Sequence, residues 1–85
     1  MNPRKTLAKA RNNPSGLRFS EFESLVEAFG FRFVRQTGSH RIYGNPDVPV
    51  ALNLQPDHNG KAKAYQVRDL LQKVEQYGLS LEDGE

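Results

Sequence analysis

Three features of this 85-residue sequence predict an α+β domain of order αβββα, a three-stranded antiparallel sheet with two helices on one face. SEFESLVEAFG, residues 20–30, places Phe22, Leu25, Val26 and Phe29 at i, i+3, i+4 and i+7, and the stretch from Ala64 to Tyr77 repeats the pattern with Val67, Leu70, Leu71 and Val74. Between them, residues 31–55 change to a period of two. Two apolar helical stripes need a shared apolar surface, and one face of a small sheet supplies it.

Each element has its own start and stop signals. Thr6 to Arg11 reads as a short extra helix, interrupted by Asn12, Asn13, Pro14, Ser15 and Gly16. Ser20 with Glu23 three residues on reads as a capping box for the next helix, and Gly30 as its left-handed stop. FRFVRQ then alternates Phe31, Phe33 and Arg35 against Arg32, Val34 and Gln36; Thr37, Gly38 and Ser39 turn the chain, and HRIYGN returns as a second strand. Asn45, Pro46 and Asp47 make the next turn, and VPVALNLQ sets Val50, Leu52 and Leu54 against Ala51, Asn53 and Gln55. Pro49 lacks a backbone donor, which suits a sheet edge. PDHNGKAK is a polar loop with an Asn59-Gly60 turn, and Gly78 ends the last helix. The expected division is a helical extension over 1–18, a domain over 19–79 and an acidic, frayed tail over 80–85.

Composition narrows the function classes. The length suits one small domain and one site, and the absence of cysteine excludes a disulfide framework and a thiolate zinc centre. The histidines, His40 and His58, have no short ligand spacing, and no glycine-rich phosphate loop precedes a helix, so neither metal nor cofactor is expected. With a charged N-terminus and no long apolar run, the expectation is a soluble cytoplasmic protein. Residues 1–45 carry eight basic side chains against three acidic, a net +5, and residues 46–85 carry four against seven, a net −3. A basic first half suits a polyanionic partner.

The αβββα order, the phrase GFRFVRQTGSHRIY and the closing KAYQVRDLLQKVEQYGL together resemble the HicA toxin family, the messenger RNA interferases of HicA/HicB toxin–antitoxin pairs. The resemblance spans residues 20–79 and rests most on Gly38-Ser39-His40 after an Arg-Gln strand end. It implies a fold similar to a double-stranded RNA-binding domain, cleavage of messenger RNA, and a catalytic histidine in the second strand, here His40. It also implies a HicB-like antitoxin partner that covers this histidine; the free chain is expected to be a monomer.

RNA chemistry is compatible with these residues. The 2′-hydroxyl attacks the adjacent phosphate once a base takes its proton, and an imidazole serves that role without a metal. Arg32, Arg35, Arg41, Lys61 and Lys63 are the candidate phosphate-binding cations, and Ser39 either positions a phosphate or stabilises the turn. Read without the family, His40 shares strand parity with Ile42, and it becomes a core-margin histidine if Ile42 faces the helices. His58 reads as a turn residue, and Tyr43 as cross-strand packing more than base stacking. A non-catalytic RNA-binding module and a protein-interaction domain are the alternatives to a ribonuclease.

Overall fold

The computed structural model describes residues 2–82 and contains the expected order behind a further helix. Helix α1 (Pro3–Asn12) is followed by a 3₁₀ turn at Pro14–Gly16, helix α2 (Phe19–Ala28), strands β1 (Arg32–Thr37), β2 (His40–Asn45) and β3 (Val48–Leu54), and helix α3 (Ala64–Tyr77). The strands form one antiparallel sheet of order β1-β2-β3, so β2 is central. Phe22, Leu25 and Val26 of α2, Val67 and Leu70 of α3, and Tyr43, Leu52 and Leu54 of the sheet join one buried cluster. Burying each large apolar side chain contributes about 1.5–3 kcal/mol, which puts both helices on the same sheet face.

Helix α1 is longer than its sequence suggests because Asn2 caps it. The Asn2 Oδ1 accepts the backbone N–H groups of Arg4 at 3.1 Å and Lys5 at 3.3 Å, and Pro3 takes the first helical position, where no donor is needed. Ala10 is fully buried and Leu7 packs on the core, so α1 is part of the hydrophobic body and not an appended turn.

Helix α2 begins at Phe19, not after a Ser20 cap. Arg18 is held extended by its bridge to Lys61, and Phe19 N–H donates to the Gly60 carbonyl at 3.1 Å. The reaching carboxylate is therefore Glu21, which accepts the Arg18 N–H at 2.9 Å and pairs with Lys9 of α1 at 3.2 Å. Gly30, at φ 93°, ends the turn as expected.

Two irregularities change the expected alternation. The pairing of β1 and β2 shifts between Phe33 and Arg35, which leaves Val34 unpaired and 55% exposed. Phe31, just before β1, takes the core position, while every residue of β1 is exposed. A second shift, between Tyr43 and Asn45, breaks the period in β3: Val48 is buried with Leu52 and Leu54, but Val50 is exposed.

The chain after α3 is docked as far as Glu82, against the expectation of fraying. Gly78 caps α3 at φ 61°, Leu79 and Leu81 pack on the core, and Glu82 N–H donates to the Ala28 carbonyl at 2.7 Å. The rest of the acidic tail, 83–85, lies outside the described residues. Among those residues no helix is long and apolar enough to cross a membrane.

Candidate active site

A tight turn sets the position of His40. Thr37 pairs with His40 across the two-residue turn Gly38-Ser39, and Gly38 adopts φ 61°, which favours glycine. His40 thus opens the central strand. Tyr43 is buried against the helices and its hydroxyl donates to Glu23 of α2 at 3.0 Å, so the alternate residues His40 and Ile42 face the other side of the sheet. The condition for a core-margin histidine is not met.

On that side, His40 Nδ1 lies 2.9 Å from Asn53 Oδ1 of β3. With the amide oxygen accepting, Nδ1 carries the proton and Nε2 of the neutral ring keeps its lone pair. His40 lines a groove of about 600 Å³ between β3 and α3. Asn53 and Gln55 form its strand wall, and Tyr65, Arg68, Asp69 and Gln72 its helix wall.

The groove is held by side-chain amides. Gln66 of α3 accepts the Gln55 N–H at 3.1 Å and donates to the Asn53 carbonyl at 3.0 Å, satisfying backbone groups on the outer edge of β3 as a fourth strand would. Lys63 Nζ donates to Gln55 Oε1 at 2.9 Å, and Gln55 Nε2 donates to Ser39 Oγ at 2.9 Å. This relay ties the hairpin turn to the start of α3.

The expected site residues divide into two groups. Ser39 and Lys63 join the relay beside His40, and exposed Arg35 pairs with Ile42 on the open side of the sheet. Lys61 is exposed in the loop before α3. The other two arginines are engaged away from the groove. Arg41 points to the helix side, 2.7 Å from Glu23 and with its guanidinium 5.2 Å from the Phe33 ring centroid. Arg32 pairs with Glu82 at 2.6 Å and donates to the carbonyls of Glu27 and Phe31.

His58 is exposed in the loop after β3, where Asp57 accepts the backbone N–H groups of Asn59 and Lys61. Those donors hold the Asp57 carboxyl below the usual carboxylate range, Lys61 contributing most. Among the described residues no three His, Asp or Glu side chains are grouped to hold a metal ion.

The structure adds Asn53, Gln55, Tyr65, Arg68 and Asp69 to the residues that the sequence marks as candidates. The helix wall does leave a signal in the chain: Tyr65, Arg68, Asp69 and Gln72 stand at i, i+3, i+4 and i+7, a second stripe on α3 beside the apolar one.

A family model described as the HicA toxin of bacterial toxin–antitoxin systems matches residues 19–76, which include β1 to β3, His40 and nearly all of α3. Neither a curated protein nor a solved structure gave a significant match.

Proposed function

The chain belongs to the HicA toxin family, and on that premise we propose that it is a metal-independent endoribonuclease acting on messenger RNA, with His40 as the catalytic base. The observation that carries this reading is the His40–Asn53 contact at the groove, which orients the ring so that, in its neutral form with Nδ1 donating, Nε2 is the nitrogen available to take a proton. In the proposed step Nε2 takes the proton of a ribose 2′-hydroxyl, and the oxygen attacks the adjacent phosphorus. The bond from phosphorus to the 5′-oxygen breaks, and that oxygen takes up a proton from water. The products are a 2′,3′-cyclic phosphate and a 5′-hydroxyl, and no oxidant or reductant is needed.

Charge on the phosphorane oxygens requires donors that are already in place. Arg68 in the helix wall and Lys63, bound to Gln55 of the strand wall, are the cations assigned to the phosphate, with Arg35 on the open sheet side and Lys61 in the loop extending the path for the backbone. The Ser39 hydroxyl, which accepts from Gln55, can donate its own proton to a phosphate oxygen. DNA lacks the attacking hydroxyl, so cleavage is selective for RNA even where binding is not.

A toxin–antitoxin family implies a partner. A HicB-like antitoxin that covers the groove would silence the enzyme by excluding RNA. The combined reading is tested by incubating the purified chain with RNA, with DNA of the same sequence and with 2′-O-methyl RNA, each in the presence of a chelator. Cleavage of unmodified RNA alone is expected, and suppression when the neighbouring gene product is added. Cleavage of DNA, or loss of all activity in chelator, would overturn the mechanism.

A further inference from the structure

We propose that Tyr65 is a stacking platform for one unpaired base next to the scissile phosphate, which makes the groove a site for single-stranded RNA; this deepens the ribonuclease reading and rests on it. Tyr65 is in the first turn of α3, is 61% exposed, and lines the same groove as His40. Among the described residues its hydroxyl has a marginal polar contact, the Gln66 amide at 3.5 Å. The other two tyrosines do structural work: Tyr43 is buried and bonded to Glu23, and Tyr77 packs on the core. Tyr65 is thus a largely exposed aromatic ring at a concave site, outside the core cluster of the described residues.

Charge decides which part of a nucleotide goes where. Asp69, one helical turn beyond Tyr65, puts a carboxylate in the helix wall, held by Lys73 at 2.9 Å. A phosphate gains nothing beside this ion-paired carboxylate, whereas a base brings N–H groups that a carboxylate accepts. The backbone therefore follows Lys63 and Arg68, and the base turns inward onto the Tyr65 ring. Ala51 lines the same groove with a small side chain. The groove volume of about 600 Å³ is in the range of sites that enclose a small molecule, roughly 300–1,000 Å³.

A base in a duplex offers only its edge, so stacking on Tyr65 demands an unpaired nucleotide. The inference is tested by binding, which is independent of catalysis. In the His40→Ala background, a fluorescent single-stranded oligoribonucleotide is titrated into the chain carrying Tyr65, Tyr65→Phe or Tyr65→Ala. Tyr65→Ala should weaken binding by about 10-fold, in line with the worth of one base–aromatic stack, while Tyr65→Phe retains affinity. The same RNA annealed to its complement should bind equally to all three proteins. If single-stranded RNA binds and Tyr65→Ala matches the parent, the platform is disproved and the ribonuclease reading stands. If the parent binds no RNA at all, both are disproved.

Discussion

The Asn53 side chain and the His40 imidazole meet across two neighbouring strands, Oδ1 to Nδ1 at 2.9 Å, and Gln66 fixes the Asn53 carbonyl from the opposite edge of the same strand. In the proposed mechanism Asn53 is a positioning residue. Asn53→Ala should leave the fold intact and lower the RNA cleavage rate by about 10-fold through loss of ring orientation. Asn53→Asp should restore orientation but favour the charged imidazolium, moving the acid limb of the pH–rate profile to higher pH. The profile separates this role from a structural one, which would leave its limbs where they are.

The split among the cations gives a test by salt. Lys63→Ala and Arg68→Ala should each flatten the dependence of RNA affinity on salt, by about 0.7 in log–log slope for one phosphate on a single strand. Arg41→Ala should leave the slope alone and cost about 1 kcal/mol of stability, because it deprives Glu23 of its 2.7 Å partner at a largely buried site. Fluorescence titrations at several salt concentrations, with urea unfolding beside them, measure both. A flattened slope in Arg41→Ala would put RNA on the helix face of the sheet.

Two groups tie stability to pH in opposite directions. The Arg18 N–H, then Lys9, hold the Glu21 carboxyl below its ordinary value. Its contribution is full above the unfolded carboxylate range and is lost as pH falls through the lower folded value. Burial first, then the Glu23 hydrogen bond, push Tyr43 up to about 12. A raised folded value contributes fully below the ordinary tyrosine range, near pH 10, and the contribution is lost as pH rises towards about 12. Urea midpoints measured against pH should therefore fall at both ends, with Glu21→Gln weakening the acid dependence and Tyr43→Phe the alkaline one.

Much of this architecture is legible in the chain, because periodicity is a local signal. The apolar stripes of α2 and α3 and the glycines at 30, 38 and 78 set element type and ends without knowledge of the partners. The departures from expectation have a common cause in long-range contacts. Glu21, not Glu23, reaches back to the α2 terminus because Arg18 is bridged to Lys61, far along the chain. The bulge at Val34 and the break opposite Gly44 shift which residues of β1 and β3 are covered. Glu82 is docked through Ala28 and Arg32 and Leu81 against the core, contacts that no local pattern announces. In the site, His40 and its turn are visible as a motif, whereas Asn53, Gln55 and Gln66 matter only through cross-strand and strand–helix contacts. Nearness in sequence groups Arg32 and Arg41 with His40, but strand alternation turns Arg41 to the other face and register carries Arg32 to the far end of β1.

The most direct test of the central claim is the rate of RNA cleavage by His40→Ala beside its affinity for 2′-O-methyl RNA and its urea midpoint. The variant should fold as the parent does, because the ring lies on the open side of the sheet and, among the described residues, its hydrogen bond is to Asn53 alone. It should bind the uncleavable RNA as tightly and cleave at least about 10²-fold more slowly. A folded His40→Ala protein that cleaves RNA at the parental rate would contradict the catalytic role of His40 outright.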